Sequence, residues 1–205
     1  MKSIIIFLIG VIFFHRAYAQ QLPVEVLLST NIIYNQFLVS RQLKGSNISF
    51  LSTNSLMLNL SNKRSSEVMN QNYFTYAFSK NISAGLGTFY STVPGISPSV
   101  NLRYVGKIKH LVAVIVPRID LAQNPTFDVM SMLEFEPPIT KRTSIYLRLQ
   151  TMMNYSTSQH NRSYQYLRIG WTNRIGQFGL AANFDAYGSK LTYRKNYGIF
   201  YRVKL

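Results

Sequence analysis

From Ile48 to the last residue the chain repeats one design: segments of about ten residues alternate apolar with polar side chains, and Gly, Pro, Asn, Ser and Lys clusters separate them. Alternation of period two puts one set of side chains on each face of a strand. The chain is therefore restricted to a sheet with one apolar and one polar face. After the first twenty positions no apolar run approaches the roughly 20 residues that a membrane-spanning helix needs.

Ten strands can be counted, near 48–61, 71–79, 82–92, 98–107, 109–119, 126–136, 143–155, 163–173, 176–187 and 196–205. Tight turns near Ser79–Asn81, Gly106–Lys109, Pro137–Arg142 and Asn173–Gly176 alternate with longer connections at 62–70, 93–97, 120–125, 156–162 and 188–195. If the first strand runs outward, every tight turn falls on the side that holds the C-terminus, the asymmetry of a barrel with short periplasmic turns and longer outer loops.

The faces separate cleanly. Ile145, Leu147, Leu149, Thr151, Met153 and Tyr155 share one side of a strand, opposite Ser144, Tyr146, Arg148, Gln150 and Asn154. Leu167, Ile169 and Trp171 oppose Tyr166, Arg168, Gly170 and Thr172 in the same way. In the last strand Tyr197, Ile199, Tyr201, Val203 and Leu205 alternate with Gly198, Phe200, Arg202 and Lys204. Tyr90, Tyr155 and Tyr197 fall toward the outer ends of apolar-face positions, and Trp171 and Phe178 toward the inner ends, as aromatic girdles require.

This pattern resembles bacterial outer-membrane β-barrels, over about residues 48–205. The resemblance implies an all-β, antiparallel up-and-down transmembrane barrel in the cell outer membrane, with both termini in the periplasm. It further implies that Tyr197, Ile199, Tyr201, Val203 and Leu205 form a C-terminal signal read by the barrel-assembly machinery. Such proteins usually finish in Phe or Trp, whereas this chain finishes in Leu205. A soluble barrel or sandwich would carry the same alternation with its apolar face turned inward.

The first nineteen residues read as an export signal: Lys2 precedes an apolar stretch from Ser3 to Phe14, and Ala17-Tyr18-Ala19 has the small-x-small cleavage form. The organisation expected is thus a signal peptide at 1–19, an N-terminal segment at 20–46 and a barrel at 47–205. Within the middle segment Ile32, Ile33, Gln36, Phe37, Ser40 and Leu43 recur at helical spacing behind Ser29, Thr30 and Asn31, with Gly45 as a stop. That spacing predicts a short helix over about 31–44, whose Ile33, Phe37 and Leu43 would bind a partner or cover an opening.

The chain has no cysteine, which removes disulfides, thiolate metal sites and thiol nucleophiles together. His110 and His160 fall at opposite ends of the expected barrel, and no Ser-His-acid or paired-carboxylate constellation can be drawn. No catalytic, cofactor or metal site is assigned. The net charge of +15 is spread singly along the chain, so lipid and lipopolysaccharide phosphates suit it better than nucleic acid.

On the polar face Glu134 and Glu136 lie beside a strand carrying Arg148, while Arg103, Arg168 and Arg202 share the same phase. These six form the expected charged network of the lumen, with cations in excess. Tyr146, Tyr166, Phe89 and Phe200 are expected to fill much of it. Three functions are considered: first an accessory subunit of a larger outer-membrane assembly, bound to other outer-membrane proteins through its wall and helix; as the alternative a narrow anion-preferring pore; and, least supported by the residues, a membrane-embedded enzyme.

Overall fold

The computed structural model describes residues 22–62 and 65–204, and the export signal read over 1–19 lies outside them. Twelve strands follow one another: β1 (Pro23–Ser29), β2 (Ile32–Gln42), β3 (Ile48–Asn59), β4 (Glu67–Ala77), β5 (Ile82–Ser91), β6 (Gly95–Ile108), β7 (Leu111–Asp120), β8 (Thr126–Phe135), β9 (Ser144–Ser156), β10 (His160–Asn173), β11 (Gly176–Tyr187) and β12 (Thr192–Lys204). Each pairs antiparallel with its sequence neighbours, and β1 pairs with β12 from Pro23↔Lys204 to Ser29↔Gly198. The sheet is a closed barrel, so no edge is left open, although the β6–β7 ladder lapses at Leu102 and Arg103, opposite Pro117 and Val116.

The ten expected strands are β3 to β12; the two additional ones occupy the segment read as a helix. Residues 31–44 are not helical. Their spacing satisfies period two as well, because both faces of β2 are partly apolar: Ile32, Tyr34 and Leu38 point inward and Ile33, Phe37 and Val39 outward. β-branched and aromatic residues favour the extended form, and the register Ile32↔Asn59 to Gln42↔Ser49 gives the segment backbone partners along its whole length. β1 escapes a periodicity reading for a related reason, since its inward Leu27 is fully buried and makes Val24 to Leu28 look nearly continuous in apolar character.

Residue direction is unambiguous: Arg168 is 1% exposed while the next residue, Ile169, is 59% exposed. Leu86, Ile96, Leu180, Ile199 and many other large apolar side chains are likewise exposed around the wall. A barrel with a polar, buried interior and an apolar exposed exterior is the inverse of a water-soluble barrel; this wall is built to face lipid. Tyr90 and Tyr155 sit near one rim, Trp171 and Phe178 near the other, with Tyr197 farther into the wall.

Loop length does not distinguish the two rims. The longest connectors, 60–66 and 136–143, open at opposite ends, contrary to the alternation expected from sequence.

Close backbone approach between β10 and β11 requires two paired glycines. Gly170 and Gly179 face each other across β10 and β11, and a Cβ on either would lie 2.0 Å from the Phe178 carbonyl oxygen or 2.2 Å from that of Ile169.

Candidate functional site: a divided lumen

All seven acidic residues of the chain, Glu25, Glu67, Asp120, Asp128, Glu134, Glu136 and Asp185, belong to the lumen, and arginines meet most of them. Strand phase explains this: each acid replaces an inward residue of an alternating segment, where water is scarce and an unpaired charge is costly.

One half of the lumen is filled by a network between β1 and β8–β12. Glu25 lies at its centre: Arg168 Nε donates to Glu25 Oε1 at 2.9 Å, and Arg148 Nη2 lies 2.5 Å from Glu25 Oε2. Arg168 Nη1 also donates to Asn183 Oδ1 at 2.8 Å. Toward the termini, Arg202 Nη1 donates to Glu134 Oε2 at 2.7 Å, which also accepts from the Tyr146 hydroxyl at 3.0 Å. Glu136, just past β8, accepts from Gln177 Nε2 at 3.1 Å.

Aromatic rings complete the filling. Tyr164 stacks on Tyr166 with centroids 4.2 Å apart, Tyr34 meets Tyr166 edge-on at 5.7 Å, and Tyr146 packs against Phe200 at 5.7 Å. Tyr146, Tyr166, Phe89 and Phe200 all point inward and are buried.

At the rim opposite the termini, Arg162 crosses the lumen. Its Nη1 donates to Glu67 Oε2 on β4 at 2.6 Å, and its Nη2 to Asp185 Oδ1 on β11 at 2.7 Å. Arg162 is a half-buried lumen residue, and Arg194 lies over the Tyr187 ring, 4.6 Å from its centroid.

The other half, bounded by β3–β8, is open. A cavity of about 800 Å³ touches Pro94, Asn124 and Ser158 at the far rim and Pro23, Arg103 and Arg202 toward the termini. Its wall combines Ser, Thr, Asn and Gln with apolar and charged side chains, Met130, Met132 and Met152 among them. Arg118 sits in this wall between Asp120 (3.2 Å) and Asp128, beneath the Phe89 ring at 3.8 Å. Arg103 also lines the cavity and, among the described residues, has no carboxylate within 4.0 Å.

Of the six residues expected to form a charged network, Arg148, Arg168, Arg202, Glu134 and Glu136 fall in the filled half and Arg103 in the open one. Arg148 is beside Glu134 in register, as sequence phase suggests, yet its guanidinium turns to Glu25. Glu25, Glu67, Arg118, Arg162 and Asp185 are further members that sequence reasoning passed over; the inward phase of Glu25 between Val24 and Val26 is the signal that could have found the first. Ile33 and Phe37 are wall residues of β2, and Leu43 is exposed in the turn after it, so no partner-binding helix exists here. Tyr197, Ile199, Tyr201 and Val203 share the outward face of β12, and Leu205 lies outside the described residues.

The excess positive charge is not in the lumen but at the rims, most of it at the one carrying the termini, with Lys190, Arg194 and Lys195 exposed at the other. Arg41 and Lys44, Lys80, Lys107 and Lys109, Lys141 and Arg142, and Arg174 occupy all five hairpins of the rim carrying the termini and are exposed, and no exposed acid accompanies them among the described residues. His110 is exposed there too, while His160 begins β10 rather than lying in a loop, its Nδ1 2.9 Å from the Gly188 carbonyl oxygen. No group of three or more His, Asp or Glu among the described residues could hold a metal ion.

A closed, lipid-facing barrel with a divided polar lumen defines the class: a small outer-membrane β-barrel. In sequence the chain matches no family model and no curated protein. In structure it is similar to NanC porin, with a TM-score of 0.53 at 12% identity over 90% of this chain and all of that one. It is also similar to KdgM porin, alone and in complex with disordered oligogalacturonate, with TM-scores of 0.50 at 10% and 11% identity over 91% of this chain and 99% of each.

Proposed function

We propose that this chain is a narrow, anion-preferring pore whose solute path is the open half of the lumen. The observation that carries the reading is the cavity between the two rims with Arg103 in its wall, a cation that no described carboxylate neutralises. Anionic solute in this path would supply the missing counter-charge. The basic rim adds to the effect, since a one-sign collar raises the local concentration of anions at a mouth. One of the structurally similar porins is described in complex with oligogalacturonate, an anionic sugar chain, which suits the same chemistry.

The filled half acts as a fixed wall that narrows a twelve-stranded barrel to a solute-sized channel. The rim bearing the termini is the periplasmic one in this reading. An accessory-subunit role loses its motive, because the helix it depended on is β2.

Planar-bilayer recording in a salt gradient tests the proposal. The expected result is small steady conductance with an anion-selective reversal potential, displaced toward zero in Arg103→Ala. A folded, inserted protein that conducts nothing would overturn it.

A further inference from the structure

The outward face of β3 and β4 interrupts the apolar wall. Ser52 and Asn54 on β3 stand opposite Asn72 and Asn70 on β4 in the middle of both strands, with Leu56 and Val68 on one side and Phe50 and Phe74 on the other. These four side chains close a ring of hydrogen bonds. Ser52 Oγ donates to Asn72 Oδ1 at 2.8 Å, Asn72 Nδ2 to Asn70 Oδ1, Asn70 Nδ2 to Asn54 Oδ1, and Asn54 Nδ2 returns to Ser52 Oγ at 3.1 Å. Outward Thr88 on β5 stands next to Asn72.

The ring uses one N–H and one lone pair of each carboxamide, and a carboxamide has two of each. At mid-wall depth lipid offers only hydrocarbon, and headgroups lie at the rims. Three asparagines therefore present spare donors and acceptors where lipid cannot meet them.

We infer that the β3–β4 face, centred on the Ser52–Asn54–Asn70–Asn72 ring, is a side-by-side interface with a second copy of this chain. Three features select that occupant. The patch is uncharged, so it carries no complement for an acidic or basic partner. Its groups are donor and acceptor at once, so they complement themselves. Two barrels inserted in the same orientation also bring this mid-depth band to the same depth, which a two-fold axis along the membrane normal accomplishes with one patch on each copy.

The absence of native cysteine makes the test direct. Leu56→Cys lies outward on β3 beside the ring, and Leu149→Cys lies outward on β9, six strands away around a twelve-stranded barrel. Under mild oxidation in native membranes, L56C is expected to form a disulfide-linked species of twice the chain mass, and L149C to stay single. Adding N70L and N72L to L56C should reduce that species at least several-fold, with heat-modifiable migration on gels reporting that the barrel still folds. If the double replacement does not fold, the contrast between L56C and L149C decides alone. L56C that stays single, that dimerises no more than L149C, that dimerises equally without the asparagines, or that links to a different protein would overturn the inference.

Discussion

Arg162 on β10 reaches Glu67 on β4, and these strands are six apart in a ring of twelve, so the 2.6 Å contact spans the barrel from one wall to the other. A second cavity, of about 360 Å³ and lined by Ile32, Met57 and Asp185, lies at the same rim and shares Tyr187 with the larger one. The Arg162–Glu67 pair narrows the far mouth.

Glu67→Gln should open that mouth without unfolding the barrel, because Arg162 keeps Asp185 as its counter-charge at 2.7 Å. The expected outcome is higher single-channel conductance at unchanged thermal stability. Equal conductance would place the narrowest point elsewhere along the lumen.

Glu25 is shared by two arginines, so its loss has larger consequences than that of any rim acid. Glu25→Gln leaves Arg148 and Arg168 buried with weakened pairing, and breaking a buried pair costs about 3–5 kcal/mol. Denaturant unfolding from detergent or lipid should show a lower midpoint by that order. Lost stability well below 1 kcal/mol would mean that water enters this half of the lumen.

Ile169→Arg tests what the wall faces. If it is hydrocarbon, an arginine here, between the midplane and the rim marked by Trp171, costs about 1–3 kcal/mol, whereas an arginine on a water-facing strand costs next to nothing. Reversible unfolding in lipid vesicles reads the difference. The side chain is already 59% exposed, so no core packing is lost to confuse the result.

The collar and Arg103 should differ in their response to salt. Exposed charges are screened over about 30 Å at 0.01 M but about 3 Å at 1 M. Lys107→Glu with Lys109→Glu should therefore weaken anion selectivity in dilute salt and leave it nearly unchanged at about 1 M, while Arg103→Ala should act at both. Selectivity measured across a salt series separates them.

The alternation from Ile48 onward contained the class of fold, the ten strands β3–β12 and the inward or outward direction of their residues, because strand periodicity is local and each side chain declares its face by its own polarity. The same locality explains the misreading of residues 31–44. Ile32, Gln36 and Leu43 match a helical spacing, and only the pairing of β2 with β1 and β3 decides for the extended form. Strand number followed from that pairing, as did closure of the barrel between β1 and β12.

Sequence phase likewise placed Arg148 and Glu134 side by side on the polar face. It could not show that Arg148 turns to Glu25, that Arg162 crosses to Glu67, or that four outward polar residues close into a ring. Each of these joins residues far apart in the chain, and a pattern with a period of two carries no information about which strands meet across a lumen. Composition determined a basic chain; only the closed barrel decided that its acids would be drawn inward to pair with arginine and its surplus cations left at the rims, most of them at the one carrying the termini.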